Sequence, residues 1–349
     1  MFQSLSLTAL VPIFLVAAGA VWAAGMKLTD TTDVLSAHLH LGQALGGMIF
    51  LAIATNLPEI AIAVAAGVSG QIEIVTGNIL GGIAIQTLVL VLLDVVAGEK
   101  SGRPLTYSAA SLVLAVEGLL VLALLAAVVM GSQLPSSISL LRIHPASLAI
   151  LMLWIIGLWL VNKARSQLPW GDDRDNEATD EDEDEKQTVH MAFGSAAAIL
   201  AVAAGVTLLA GVALEQSSEA IAKQIGLSNV IFGATILAAA TSLPEVSTGI
   251  RSVRLGDPRL AVSDILGGNA FLPSLFFVTA VISGQPVLSG AKPTDLYLAG
   301  LAALLSAVVV IGLIFRPSRQ ILRMGMDSLA VLIIYGIGLA GLFVVAASH

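Results

Sequence analysis

Ala54-Thr55-Asn56-Leu57-Pro58-Glu59 and Ala240-Thr241-Ser242-Leu243-Pro244-Glu245 each set a carboxylate behind a proline in the middle of an apolar run. A proline inside a helix supplies no N–H and clashes with the carbonyl four residues back, so the carbonyls of Ala54 and Ala240 lose their usual donor. In hydrocarbon such a carbonyl needs another donor or a cation. Beside the two carbonyls stand the hydroxyl and amide oxygens of Thr55, Asn56, Thr241 and Ser242 and the carboxylates of Glu59 and Glu245. The donor set is all oxygen. That suits a hard cation such as Ca²⁺, which takes roughly 6–8 oxygen ligands. A charge near a bilayer centre costs ~2.5–3.5 kcal/mol even on the lenient insertion scale, so two such carboxylates imply a bound counter-charge. A helix end with its Glu in water is the competing account, and the apolar stretch from Ile60 to Val68 beyond the first site argues against it.

Downstream of each Pro-Glu pair comes a second polar element, Gly77-Asn78-Ile79-Leu80-Gly81-Gly82 and Ser263-Asp264-Ile265-Leu266-Gly267-Gly268. Asn78, Gly82 and Gln86 recur at four-residue spacing, as do Asp264, Gly268 and Leu272, so each set shares one helical face. Asn78, Gln86 and Asp264 are therefore placed to turn toward the breaks, or to hydrogen-bond between helices; the Gly pairs let helices approach closely. Glu117, in the middle of its own apolar run, is either a proton or cation group or the partner of a polar neighbour. Asp94 and Glu73 fall near span ends, where water is expected to reach them. His38 and His40 lack a third ligand and read as a surface pair. The run Asp180–Glu185 lacks the glycine and ligand spacing of a Ca²⁺-binding loop and reads as solvated chain.

The elements that must position these groups come from a duplication. A shift of 186 residues superposes Gly46–Gln86 on the later stretch with 14 identities and no gap. At 57% hydrophobic and 11% charged over 349 residues, the chain is too apolar for a soluble domain. Apolar runs predict membrane spans near 8–26, 43–68, 74–97, 107–130 and 146–163, then 191–214, 229–252, 260–283, 296–315 and 328–347. The first run reads as a span and not a leader, because Met1–Leu7 carries no positive charge. With five spans per copy the second copy enters from the opposite side. The expected fold is all-α, ten transmembrane helices in two inverted five-helix repeats: 1–163, an acidic linker over 164–190, and 191–349. The segments 29–41 and 215–228 are either short interfacial stretches or bent continuations of spans 1 and 6.

Thirteen of the 16 Lys and Arg residues fall on one side of that topology, leaving Arg142, Lys223 and Lys292 on the other. The positive-inside rule then puts both termini outside and the linker in the cytoplasm. Ten of the 24 acidic residues lie between Asp172 and Glu185, so the net charge of −8 belongs to the linker. No basic surface suggests nucleic acid, and with no cysteine there is no thiolate site.

On these residues the chain resembles the calcium:cation antiporter superfamily, whose inverted repeats read Gly-Thr-Ser-Leu-Pro-Glu followed by Gly-Asn-x-x-Gly-Ser-Asn. The resemblance implies that Glu59 and Glu245 bind Ca²⁺, that Thr55, Asn56, Thr241 and Ser242 help bind Ca²⁺ or Na⁺, and that spans 1 and 6 slide. Gly70–Val75 also looks like the proton-coupled exchangers of that superfamily. Three departures stand out: Gly82 and Gly268 replace serines, Gln86 replaces an asparagine, and Leu272 stands where Asn or Asp is usual. Each lost hydroxyl or acid removes a Na⁺ ligand, and Asp264 is placed to compensate. The expected activity is exchange of Ca²⁺ or a similar divalent cation for Na⁺, or for H⁺, in an inner or plasma membrane. The partners are inorganic cations and lipid, with no cofactor and no obligate protein partner. A channel is the rival of another class. An intramembrane enzyme is disfavoured, since no histidine falls within a span and Ser242 has no adjacent base.

Overall fold

The structure, a computed structural model, describes residues 2–39, 53–138, 144–167 and 191–348. The start of the second predicted span, the Gly46–Leu51 part of the repeat, His40, Arg142 and the acidic linker lie outside the described residues. The helices are α1 (Leu7–Leu39), α2 (Leu57–Ser69), α3 (Ile72–Ser101), α4 (Leu112–Ser132), α5 (Pro145–Gln167), α6 (Phe193–Ile225), α7 (Asn229–Thr241 and Leu243–Leu255), α8 (Pro258–Ser283), α9 (Pro293–Phe315) and α10 (Met326–Ala347). Residues 53–55 are a further helical stretch leading into α2. The protein is an all-α, multi-pass membrane protein of two five-helix repeats.

The duplication is drawn in the helix bounds. α1 and α6 are both 33 residues long and offset by 186; α2 and the second half of α7, 13 residues each, share that offset. Gly70 and Gly256 end those shorter helices at φ 77° and 99°, left-handed positions that a glycine adopts without steric cost. The segments after spans 1 and 6 are continuations: α1 and α6 run unbroken to Leu39 and Ile225. At 33 residues each is about 50 Å long, well beyond a hydrocarbon core of about 30 Å.

The remaining spans fall within a few residues of their expected bounds, with local breaks. Span 4 is preceded by a separate turn of helix, Leu105–Ala109. α8 tightens to a 3₁₀ turn at Leu272–Ser274, where Pro273 cannot donate. Between α9 and α10, Gln320–Ile321 and Met324–Gly325 pair as a minimal hairpin over Leu322 and Arg323, both at positive φ. The hairpin was not expected from the sequence: its strands are two residues long and its turn carries no glycine.

Two of the three apolar clusters among the described residues account for most of the core. The larger joins α2 to α5 and α7 to α10 through residues such as Ile79, Leu124, Leu266, Phe276 and Leu305. The smaller seats α1 and α6 on the rest, with Leu10, Phe14, Val21 and Leu214 against Ile62, Ile74, Phe232 and Leu237. Phe14 meets Phe232 edge-on at 6.0 Å. Glycines set the closest approaches. A methyl group on Gly77 would lie 2.5 Å from the Val230 carbonyl, and one on Gly233 would lie 2.7 Å from that of Ile74, so α3 and α7 touch backbone to backbone. At that crossing α7 widens into a π-turn, Gly233–Leu237, one helical turn before its break.

Candidate cation site

Each Pro-Glu pair forms a broken helix. Asn56 (φ −93°, ψ 17°) and Ser242 (φ −83°, ψ 2°) leave the helical well, and the next helix starts one residue later with its proline in the first turn. α7 bends by 43° at this point. Pro58 and Pro244 have no N–H to offer the Ala54 and Ala240 carbonyls, and both alanines are buried, at 4% and 8% exposure.

Around the breaks the structure buries Glu59, Glu245, Thr55, Asn56, Thr241, Ser242, Asn78 and Gln86; Asp264 is partly exposed. Thr241 of the second repeat faces Glu59 of the first, and Glu245 lies within electrostatic reach of both Glu59 and Asp264. Ser242 and Thr241 donate their hydroxyl protons to the Ala238 carbonyl at 2.8 and 3.2 Å, which leaves their oxygen lone pairs available to accept a cation. Asn56 Nδ2 donates to Thr55 Oγ1 at 3.3 Å. Neither carboxylate oxygen of Glu59 or Glu245, and no polar atom of the Asn78 and Gln86 amides, has a hydrogen-bond partner of good geometry among the described residues. Buried polar atoms ordinarily find partners, and orphaned ones collect where something else supplies the interaction. Here Asn56, Glu59, Asn78, Gln86 and Glu245 all carry such atoms.

The second polar elements cross over between the repeats. A Cβ on Gly268 would stand 3.4 Å from Asn56 Nδ2 and from Gln86 Oε1; a Cβ on Gly82 would stand 3.3 Å from Leu272 Cδ1. Gly82 and Gly268 are equivalent under the 186-residue offset, as are Gln86 and Leu272, so the same contact is made twice. One of the two is an amide and the other an alkyl group. Leu272 is fully buried in the larger cluster, so that corner of the site offers no oxygen. Among the described residues no three His, Asp or Glu side chains converge at metal-binding distance. A cation held here must complete its shell with carbonyl, hydroxyl and amide oxygens, or with water.

Several groups outside the first list also come into focus. Thr248 donates to Asp264 Oδ2 at 3.2 Å, and Asn269 Nδ2 to Thr87 Oγ1 at 3.2 Å. Asn269 was visible in the sequence as the residue after Gly267-Gly268; Thr248 gave no signal. Glu117 accepts from Ser263 at 2.9 and 3.1 Å, so it is paired across α4 and α8. Glu215, at the start of a segment read only as polar, is fully buried and accepts from Ser69 at 2.9 Å. Asp94 departs from expectation: it has no exposure, because its carboxylate accepts the backbone N–H groups of Leu105 (2.5 Å) and Gly325 (2.6 Å) and pins two loops. Glu73 is half exposed and pairs with Lys292. His38 is exposed, its ring within 3.2 Å of the Met191 carbonyl.

The family description "Sodium/calcium exchanger protein" matches the chain twice, over residues 9–163 and 191–347. The inner membrane protein YrbG of Escherichia coli (strain K12) is 30% identical over 251 residues, 70% of this chain and 71% of that protein. A putative antiporter, CaxA of Alkalimonas amylolytica, is 24% identical over 319 residues, 86% and 89% of the two chains. Among solved structures, native YfkE superposes with a TM-score of 0.64 at 18% identity, covering 95% of this chain and 91% of its own. The sodium-calcium exchanger NCX_Mj superposes at 0.62 and 18% identity (96% and 99%), and the H⁺/Ca²⁺ exchanger CAX at 0.61 and 14% (97% and 88%). These likenesses establish the fold.

Proposed function

The chain belongs to the sodium/calcium exchanger protein family, which makes it a membrane cation exchanger and not an enzyme, and from that premise we propose that it exchanges Ca²⁺, or a divalent cation like it, for Na⁺ or H⁺ at the paired breaks. The observation that carries the proposal is the burial of Glu59 and Glu245, from opposite repeats and within reach of each other, with no hydrogen-bond donor of good geometry to either carboxylate among the described residues.

The exchange follows from charge. Two carboxylates held out of water are too costly to carry across bare, so the site changes sides only when neutralised. One divalent ion does that, and so do two monovalent ions or protons. Thr55, Asn56, Thr241, Ser242 and the Ala54 and Ala240 carbonyls supply the uncharged oxygens, Asn78 and Gln86 the amides, and Asp264 a third negative charge beside Glu245. α1 and α6 are the elements suited to move. They form the smaller apolar cluster and cross the breaks at equivalent glycines: a methyl group on Gly25 would lie 2.6 Å from Pro244 Cγ, and one on Gly211 3.3 Å from the Pro58 carbonyl.

For the coupling ion, Leu272 in place of an oxygen ligand favours weak Na⁺ dependence and leaves protonation of the acids as the counter-step. We assign the protein to a cell inner or plasma membrane with both termini outside, on the distribution of Lys and Arg. Ca²⁺ flux into vesicles holding the purified protein, under imposed Na⁺ or H⁺ gradients, tests the reading. Gradient-driven, saturable Ca²⁺ movement is expected. Non-saturating flux that needs no counter-ion would identify a channel instead.

A further inference from the structure

We infer that the outer end of α6 carries a second cation site, for a hard divalent ion and apart from the paired breaks, in which Glu215 and Glu219 are joined by the hydroxyls of Ser69 and Ser218.

The two acids stand one turn apart on α6 and face the same short turn between α2 and α3. The Ser69 hydroxyl donates to Glu215 Oε1 at 2.9 Å, and the Gln71 amide to Glu219 Oε1 at 2.9 Å. Gln3 donates to that same Glu219 oxygen at 3.0 Å. Glu215 is fully buried, and its other oxygen, Oε2, has no hydrogen-bond partner of good geometry among the described residues. Ser218, three residues on and equally buried, has an unpartnered hydroxyl as well. A buried carboxylate with an idle oxygen is costly unless a further charge completes it. No lysine or arginine among the described residues pairs with either acid. The field at Glu215 comes first from Glu219 and more weakly, with opposite sign, from the chain's α-amino group, so the spot stays negative.

The repeats supply an internal control. Under the 186-residue offset the counterpart of Glu215 is Thr29, whose hydroxyl returns to the Gly25 carbonyl at 3.2 Å. The buried acid belongs to the second repeat alone, so the packing that the two long helices share does not require it.

An ion reaches this position from water. Ser69 and Gly70 are exposed and Glu219 is partly so. Gly70 and Gln71 also line a polar cavity of about 570 Å³, with Thr76, Asn229 and Asp295 on its other walls. Asn229 holds Gln71 Oε1 at 3.3 Å, and Glu73, in the same cavity, is already answered by Lys292. Two carboxylates and two hydroxyls bring fewer oxygens than the roughly 6–8 that Ca²⁺ takes, and water fills the remainder; few-ligand sites on outer faces fill at roughly 0.1–1 mM. The site also straddles a boundary. Its acids ride on α6, one of the pair proposed to move, whereas Ser69 and Gln71 belong to the α2–α3 turn. A bound ion ties the one to the other and slows turnover, an effect that rests on the exchange reading; the binding itself does not.

Binding of radiolabelled Ca²⁺ is measured by equilibrium dialysis on the purified full-length protein carrying Glu59→Gln and Glu245→Gln, which takes the paired breaks out of play. Adding Glu215→Gln should remove one bound ion per chain at roughly 1 mM Ca²⁺. Glu219→Gln, at a partly exposed position, should raise the half-saturating concentration about tenfold, and this arm does not depend on Glu215→Gln folding. Unchanged binding in both variants, each with its native elution profile, would overturn the site and leave the exchange reading standing; a protonated Glu215 resting on Ser69 alone gives that result. In vesicles, with Glu59 and Glu245 intact, Glu215→Gln should keep gradient-driven exchange and turn over severalfold faster at roughly 1 mM outer Ca²⁺. Loss of the ion with turnover unchanged would overturn the tie to α6. Absence of gradient-driven flux in the unaltered protein would remove the exchange reading and leave the site to the dialysis result.

Discussion

At the scale of single residues, the decisive property of the site is that the Glu59 and Glu245 carboxylates meet no cation and no hydrogen-bond donor of good geometry among the described residues. Replacing Glu59 or Glu245 by Gln keeps the volume and removes the charge that offsets divalent-cation desolvation, so each variant should lose at least 90% of exchange, about a tenfold effect or more, while keeping its elution profile in detergent. Full exchange by a well-folded Glu59→Gln/Glu245→Gln double variant would dismiss the site. The alkyl corner yields a gain instead of a loss. A Cβ at Gly268 has ordinary contact distances to Asn56 and Gln86, so Gly268→Ser should fold, and with Leu272→Asp it restores two oxygen-bearing side chains. Na⁺ dependence of Ca²⁺ flux should then steepen. If the unaltered protein already shows steep Na⁺ dependence, indifferent to Asp264→Asn, other oxygens complete the Na⁺ sites.

At the scale of elements, the crossings at Gly25 and Gly211 bring the long helices onto the breaks. Gly211→Val would drive its side chain into Ala61 and the Pro58 carbonyl, and Gly25→Val into Pro244. Both should slow turnover severalfold while equilibrium Ca²⁺ binding stays near its native value, because the ligand oxygens lie on other residues. A loss of binding equal to the loss of rate would make these glycines structural. The correspondence of spans 1 and 6 and the breaks of α2 and α7 were legible in the sequence, because a repeated Pro-Glu and a fixed offset fix element type and symmetry together. The unbroken extension to Leu39 and Ile225 was not, since residues such as Thr29–Thr32 and Glu215–Ser218 are polar and composition alone cannot separate an interfacial stretch from helix packed on helix. Thr31 and Ser217 settle it by returning their hydroxyls to Lys27 and Ala213 carbonyls one turn back. Asp94 was misjudged for a related reason: its partners are backbone N–H groups 11 and 231 residues away, and no spacing rule reports those.

At the scale of the whole molecule, orientation is the property that charge distribution argues and side-selective chemistry tests. The native chain has no cysteine, so one introduced at Ser101 should be labelled only from the cytoplasmic side and one at Ser137 only from outside. The reverse pattern would invert the orientation, and same-side labelling would remove the inverted repeat. The two 33-residue helices bear on the membrane itself. Leu15, Val16, Val202 and Leu209 of α1 and α6 are 62%, 73%, 68% and 76% exposed, so the apolar half of the pair proposed to move offers a face for acyl chains. A helix about 50 Å long in an apolar layer of about 30 Å must lean or protrude, and each ångström of hydrophobic mismatch costs a fraction of a kcal/mol. Any displacement of that pair changes how much apolar surface matches the layer. Bilayer thickness thereby becomes a term in the exchanger's conformational equilibrium: turnover in vesicles of graded acyl length should pass through a maximum, with cation selectivity unchanged. Lipid composition would set the pace of this protein without touching its site.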